Sequence, residues 1–186
     1  MKKEFPTIKT ERLLLRQFSD SDLGNVFKGL SNPEVIKYYG VSFQTLEATK
    51  EQMLFFANLE KNDTGIWFAI CSADNSTFYG AGGLNNLSKE HKKAEIGFWL
   101  IPDFWGNGIM KEAMPLICNY GFDHLELNRI EAFVESENKN CKNAMAKLDF
   151  QYEGTMKDCE IKNNKFISLD IYAIFLSPDS ISDSAK

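Results

Sequence analysis

The sequence holds little of what metal centres, disulfide frameworks and membrane anchors are made from. Its four cysteines stand at 71, 118, 141 and 159, so no two form a Cys-x-x-Cys pair. Its two histidines, His91 and His124, lie far apart and at no ligand spacing from those cysteines. A structural zinc site is not expected, and no metal is assigned to the chemistry. Scattered free thiols fit a reducing compartment better than a disulfide framework. No segment approaches the ~18 consecutive apolar residues of a membrane span. Lys2 and Lys3 are followed by no apolar stretch before Glu11 and Arg12, which argues against a secretory signal peptide. No run of Lys or Arg is long enough to make a nucleic-acid stripe. The expectation is a cytoplasmic protein, monomer or homodimer, that engages neither membrane nor nucleic acid.

Internal repeats and linkers rich in Pro, Gly or Ser are missing as well, so nothing divides the chain. With 186 residues and 44% hydrophobic content it can bury one sizeable core. Residues 1–176 read as a single domain. Residues 177–186 contain Ser-Pro-Asp-Ser-Ile-Ser-Asp-Ser, carry no apolar pattern, and read as a disordered tail. The net charge of −5 mildly favours a cationic substrate, but many ordinary solvated surfaces carry the same balance.

Periodicity supplies the elements. Arg12 to Gln17 predicts a short strand, and Ser19-Asp20-Ser21-Asp22 offers caps for a helix running to about Ser31, where Asn32-Pro33 breaks it. Thr45 caps a second helix to about Glu60, with Leu46, Thr49, Met53, Phe56 and Ala57 at helical spacing. Strands follow over Ile66–Cys71, Thr77–Leu87 and Lys93–Leu100. In the last of these, Ala94, Ile96, Phe98 and Leu100 alternate against Glu95, Gly97 and Trp99. A helix is predicted over Ile109–His124, kinked at Pro115. Then come a strand over Arg129–Ser136, a helix over Asn140–Leu148, and strands over Phe150–Lys157 and Phe166–Leu176, joined by a hairpin at Asn163-Asn164. This order of about seven strands and several helices predicts an α/β (α+β) fold: a mixed, mostly antiparallel twisted sheet with helices on both faces.

The most informative segment is Trp105-Gly106-Asn107-Gly108-Ile109-Met110-Lys111, between the end of a strand and the start of a helix. The first amides of a helix have no internal partner and carry the positive end of its dipole, so phosphate oxygens can accept from them. Glycines at 106 and 108 remove side chains that would hold the backbone away. The pattern is neither G-x-G-x-x-G nor the P-loop. By spacing alone it also fits an ordinary strand-to-helix turn.

Its company is more specific. Thr10-Glu11-Arg12-Leu13, Glu95-Ile96-Gly97-Phe98-Trp99, Trp105-Gly106-Asn107-Gly108, Glu112-Ala113, Tyr120-Gly121-Phe122, Asn128-Arg129-Ile130-Glu131-Ala132, Glu137-Asn138, Lys147-Leu148-x-Phe150 and Glu153-Gly154 occur in that order. From about residue 7 to 176 the chain resembles the GNAT superfamily of N-acetyltransferases, and more narrowly its ribosomal-protein N-terminal branch. The resemblance implies a GNAT fold in which the strands Lys93–Leu100 and Arg129–Ser136 splay apart. It implies acetyl-CoA as co-substrate, with its pantetheine arm pairing with backbone near Phe98, Trp99 and Leu100 and its pyrophosphate on the amides of residues 106 to 111. It also implies direct attack on the thioester by an amine acceptor, such as the N-terminus of a protein.

Transfer from a thioester to an amine requires that an ammonium lose a proton and that the leaving thiolate gain one. The resemblance points to Glu160 as the base, with Glu95 on its strand as the rival. A solvated Glu160 beside a polar hairpin, and a Glu95 in a structural ion pair, are the plain alternatives. Asn138 and Cys141 stand where the family has Asn-x-x-Ser, which implies that Asn138 bonds the pantetheine arm and that Cys141 lies near the sulfur. A thiol is a weak donor. Cys141 also shares helical spacing with Ala144, Met145 and Leu148, which equally fits a core position. Ala146 and Asp149 depart from the family's Glu and Gly. In the family the loop between the first two helices lines the acceptor pocket, which implicates Tyr38, Tyr39 and Phe43.

Overall fold

The computed structural model describes residues 4–176. The tail expected at 177–186 lies outside the described residues. In chain order the elements are β1 (Ile8–Lys9), β2 (Leu13–Arg16), α1 (Leu23–Leu30), α2 (Pro33–Ile36), α3 (Leu46–Lys61), β3 (Ile66–Ser72), β4 (Phe78–Ser88), β5 (Lys93–Leu100), α4 (Ile109–His124), β6 (Arg129–Glu135), α5 (Lys139–Lys147), β7 (Gln151–Lys162) and β8 (Lys165–Phe175). The strands form one sheet in the order β1-β2-β3-β4-β5-β6-β8-β7. Every neighbouring pair is antiparallel except β5 and β6. The sheet has eight strands rather than seven. The extra one, β1, pairs through only Ile8↔Leu15 and Lys9↔Leu14, too short to leave a periodicity.

Local chemistry accounts for the helix ends. The Thr45 side chain accepts the Ala48 amide at 3.1 Å and starts α3. Asn32-Pro33 ends α1, as expected, but also starts α2: the Asn32 side chain accepts from Glu34 N at 2.9 Å, and Pro33 sits where a helix needs no N–H. α4 runs through Pro115 over the predicted span. The β7–β8 turn has Asn163 and Asn164 at φ 51° and 60°, the left-handed pair that a two-residue hairpin requires. α5 closes through Asp149 at φ 60°, the position where the family carries glycine.

Helices cover both faces of the sheet. On one face α4 and α5 send Ile109, Ala113, Met114, Ile117 and Met145 against Ala94, Ile96, Leu100, Ile130, Ala132 and Val134. On the other, α1 to α3 send Val26, Leu30, Phe56 and Leu59 against Trp67, Ala69, Ala81 and Trp99. β3 is therefore buried on both faces. Trp99, opposite the apolar side of β5 by alternation, is not solvated: it lies beneath α1. Gly29 makes room for it, since a Cβ there would stand 2.1 Å from Trp99 Cζ3.

The buried stripe of α3 differs from the expected one. Thr49, Gln52, Phe56 and Leu59 face the sheet and Met53 packs at the edge, while Leu46 and Ala57 are exposed. Apolar residues, including Leu54 and Phe55, occur around this helix, so several stripes can be drawn from the sequence. Buried Thr49 bonds its hydroxyl back to Thr45 O at 2.9 Å, which removes the cost of burying it.

Asp22, 3% exposed, ties β2 to the start of α1. It accepts from Arg16 Nη1 and Nη2 at 2.8 and 2.9 Å and from Ser19 N at 2.8 Å. Burial alone would raise this carboxyl, but the Arg16 bonds and the Ser19 amide outweigh it and hold it below the usual carboxylate range.

Three stability effects are expected. Gly29→Ala should cost about 1–3 kcal/mol by overpacking against Trp99. Asp149→Gly, which relieves a left-handed residue, should gain up to about 1 kcal/mol. Denaturant midpoints at constant slope check both. The Asp22 carboxyl is depressed on folding, so its stabilisation is complete above the unfolded value of about 3.9 and is lost as pH falls through the lower folded value. Asp22→Asn should accordingly lower stability more at pH 7 than at pH 3. An equal loss at both pH values would contradict the ion-pair account.

Candidate active site

β5 and β6 begin as parallel neighbours and then part. Lys93↔Arg129, Ala94↔Ile130 and Glu95↔Glu131 are paired, and no later residue is. Beyond that point β5 is held by β4 alone, as far as Gly80↔Leu100, and β6 by β8 alone, as far as Glu135↔Leu169. This is the splay expected between these two strands. Two strand edges face one gap, and an extended ligand carrying amides can pair with them as a strand would.

The glycine loop lies at the end of β5. Trp105 Nε1 donates to Leu100 O at 2.9 Å and folds the loop back on the strand. Gly106 and Gly108 take φ 78° and 77°. A Cβ at either would meet nothing within 4 Å, so their left-handed backbone requires glycine, not crowding. α4 then starts without a side-chain cap. Among the described residues, the amides of residues 106 to 111 have no acceptor. Such a row of free donors fits a pyrophosphate. The N-terminal motif braces it from a distance in sequence. Thr10 Oγ1 donates to Glu112 Oε1 at 2.6 Å, Arg12 Nη1 lies 3.4 Å from Glu112 Oε2, and Arg12 Nη2 donates to Asn107 O at 3.0 Å. Beside the loop, a cleft of about 270 Å³ between α4 and the end of α5 has Lys111 and Lys147 on its rim and Met114, Phe122 and Phe150 in its wall.

α5 presents the next two residues. Asn138 is its N-cap, with Oδ1 accepting from Cys141 N at 3.1 Å. The Asn138 amide nitrogen has no partner among the described residues and is available to a ligand. Cys141 is half-buried and packs against the core that α4 and α5 cover. Burial pushes its thiol up to about 12. The core reading of the helical spacing is thus seen directly, on the same turn as Asn138.

The opposite face of β5 and β6 looks toward the α1–α3 side, and the strip of sheet between the parting strands and that helical loop is termed the trough. Glu95, Gly97 and Trp99 of β5 point there by alternation, as do Glu131, Phe133 and Glu135 of β6. Glu95 Oε2 accepts from Asn86 Nδ2 at 2.9 Å, where β4 bulges between Asn85 and Ser88. Tyr39 reaches the same place: its phenol is pushed up by burial and further by the charge of Glu95. Tyr38 is half-buried with the Lys37 ammonium 5.1 Å from its ring, and Phe43 is buried in the core beneath the loop. Glu160 is exposed on β7 opposite Ile167, past the end of β6, on the same side as Lys162. Lys162 crosses to the helical loop: it pairs with Glu135 and donates to Lys37 O at 2.7 Å. Glu131 is paired with Lys93 and Arg129. Sequence reasoning did not find Glu135 and Lys162, since no local spacing joins residues 27 apart.

Compared with known proteins, the chain is matched by a family model described as an acetyltransferase (GNAT) domain over residues 12–151. The uncharacterized N-acetyltransferase YoaA of Bacillus subtilis (strain 168) is 34% identical over 171 residues, covering 91% of this chain and 97% of that protein. The putative ribosomal N-acetyltransferase YdaF of the same organism is 32% identical over 91 residues, covering 49% of this chain and 50% of that protein. Among solved structures, a GNAT-family acetyltransferase from Bacillus anthracis superposes with a TM-score of 0.80 at 28% identity, covering 91% of this chain and 98% of that one.

The state of the thiols is directly testable. Cys159 is exposed, whereas burial pushes Cys118 and Cys141 up to about 12 and Cys71 up to about 11. Brief alkylation of the folded protein at pH 8, followed by peptide mass spectrometry, should label Cys159 first by a wide margin. Labelling of Cys141 at a comparable rate would show that its thiol is not the buried, protonated group described.

Proposed function

Because the chain belongs to the GNAT acetyltransferase family and is an acetyl-CoA-dependent N-acetyltransferase, we propose that its acceptor is the N-terminal α-amine of a protein, such as a ribosomal protein. The observation that carries this reading is the trough between the splayed strands and the helical loop, together with the partial likeness to a putative ribosomal N-acetyltransferase. The trough supplies its own cations where it is most acidic. Lys162 balances Glu135, and Lys93 with Arg129 balances Glu131. Glu95 and Glu160 are left without a cationic partner among the described residues, which suits one ammonium better than a chain of them. A small amine remains the second reading, favoured by the acidity of that face. The third, a CoA-binding protein without turnover, rests on Cys141 in place of serine.

When bound, acetyl-CoA supplies the thioester carbonyl that the amine attacks. The chain's own residues do the rest. The amides of residues 106 to 111 hold the pyrophosphate, and the free edge of β5 at Phe98, Trp99 and Leu100 pairs with the pantetheine amides. Trp105 keeps the loop folded on Leu100, while Ile109, Met110 and Lys111 open the helix whose dipole faces the phosphates. Asn138 donates through its amide nitrogen, because its oxygen is engaged by Cys141 N. Glu95, half-buried on the trough floor and bonded only by a neutral amide, takes the proton from the acceptor ammonium. An α-ammonium, with a pKa of about 8, needs less help than a lysine at about 10.4. Glu160, at the exposed rim, meets the incoming amine first. Cys141 shapes the site near the sulfur. Proton transfer from a thiol held near 12 to an ordinary thiolate runs uphill, so Cys141 is a poor donor and the leaving thiolate takes its proton by equilibration with solvent.

Acetyl-CoA at millimolar concentration should raise the melting temperature by ligand linkage. Across a panel of N-terminal peptides, polyamines, amino acids and aminoglycoside-like amines, peptides should give the highest kcat/KM. Turnover of small amines alone would move the acceptor to the second reading, and binding without any turnover to the third. Glu95→Gln should lower kcat by about a hundredfold or more, and Glu160→Gln should chiefly raise the KM of the acceptor. The reverse pattern would make Glu160 the base.

A further inference from the structure

The end of β6 and the start of α5 form a short connection, Ser136 to Lys142, that carries Asn138 and Cys141. Both ends of this connection are tied to one buried carboxylate outside the site described above. Asp170 of β8 is 3% exposed. Its Oδ1 accepts from Ser136 Oγ at 2.7 Å and from Thr155 Oγ1 at 2.6 Å, and its Oδ2 lies 2.6 Å from Lys142 Nζ. Lys142 Nζ also donates to Ser136 O at 3.2 Å, which closes the connection on itself. Tyr152 OH stands 2.8 Å from Thr155 Oγ1 and extends the network to β7. Burial would raise the Asp170 carboxyl, but Lys142, Thr155 and Ser136 outweigh it and hold it below the usual range, so it stays ionised at neutral pH.

We propose that Asp170 is a positioning residue for acetyl-CoA: it pins Ser136 and Lys142 and thereby sets where the free amide nitrogen of Asn138 points into the gap between β5 and β6. β6 has lost β5 as a neighbour after Glu131, so nothing on that side fixes its far end. The Ser136 amide donates to Ser168 O at 2.9 Å, and its carbonyl is held by Lys142 Nζ, itself paired with Asp170. Asp170 supplies what the missing strand would have supplied. The open hollow of about 580 Å³ over the network, lined by Ser136, Lys142, Tyr152, Thr155 and Tyr172 among others, leaves these residues little other support. A hydrogen bond to a ligand is sensitive to ångström-scale displacement of the donor, so a loosened connection weakens the grip on the pantetheine arm without touching the acceptor trough.

The inference rests on Asn138 facing acetyl-CoA, and titration of the wild-type protein with acetyl-CoA tests that premise separately. Given wild-type binding, Asp170→Asn should raise both the Kd and the KM for acetyl-CoA about tenfold. The acceptor KM should stay within about twofold, because the trough lies on the other face. Lys142→Met, at a half-exposed position, should give a smaller rise in the same two quantities. A double variant, Asp170→Asn with Lys142→Met, has no unpaired charge. It should regain melting temperature relative to Asp170→Asn while keeping the raised KM for acetyl-CoA. If the double variant regains acetyl-CoA affinity in step with its melting temperature, Asp170 is only structural. An unchanged acetyl-CoA KM in folded Asp170→Asn would also overturn the proposal.

Discussion

Backbone groups inside a sheet have to be paired, and β5 leaves one side unpaired from Ile96 onward. An unmade backbone hydrogen bond costs about 1–3 kcal/mol where water is excluded, so a gap of this kind needs both a reason to stay open and a structure that keeps it open. In the proposed reading, the reason is the pantetheine arm, whose amides would complete the ladder. The structure that keeps it open is distributed on either side. β4 holds β5 along its whole length, through pairs from Ser88↔Lys93 to Gly80↔Leu100. β8 holds all of β6, from Arg129↔Phe175 to Glu135↔Leu169. The end of β6 is then fastened on both faces of the sheet, by Lys162 on Glu135 and by Asp170 on Ser136. Each half of the sheet is complete without the other, which is what allows them to part.

Much of this was legible in the sequence, and the physics says which parts. Elements with a strong local signature were found nearly to the residue: β5 by alternation, α4 by its glycine start, α3 by its Thr45 cap. The splay followed from resemblance, as did the expectation that the glycine loop takes a phosphate, since neither composition nor spacing predicts that two adjacent strands diverge. What escaped were features defined by pairs distant in the chain. Thr10 and Glu112 are 102 residues apart, Ser136 and Asp170 are 34 apart, and Lys162 and Lys37 are 125 apart. Nothing periodic links them. The α3 stripe was met in part, at Thr49, Met53 and Phe56: with Leu54 and Phe55 exposed and Gln52 buried, hydropathy alone does not fix its edges.

Some motif residues that invite a chemical reading turn out to have a mechanical one as well. The Thr10-Glu11-Arg12 motif touches no strand gap, yet two of its side chains hold Glu112 and Asn107 and so fix the first turn of α4 and the loop before it. Glu112 in that first turn complements the helix dipole, while Arg12 returns positive charge beside the free amides. Trp105 does the same from the other side by its bond to Leu100. A loop with two left-handed glycines is entropically costly to order, and the side chains of Thr10, Arg12 and Trp105 are what set its shape.

The substitution at Cys141 is explained on the same footing. A serine there would bring a hydroxyl that wants a partner, whereas a thiol packs as a small apolar group and loses little when it has none. Cys141 lies against the α4–α5 core, and its amide, not its sulfur, makes the contact with Asn138. Replacing serine by cysteine thus preserves the cap that orients Asn138 while giving up a good proton donor. The step that suffers is protonation of the leaving thiolate, which can equilibrate with solvent without a dedicated side chain. The step that cannot be handed to water is alignment of the thioester with the amine. In the proposed reading, that alignment rests on the free edge of β5, the amide of Asn138 and the two fastenings at the end of β6. The architecture therefore conserves geometry at the gap and tolerates a change in the side chain next to it.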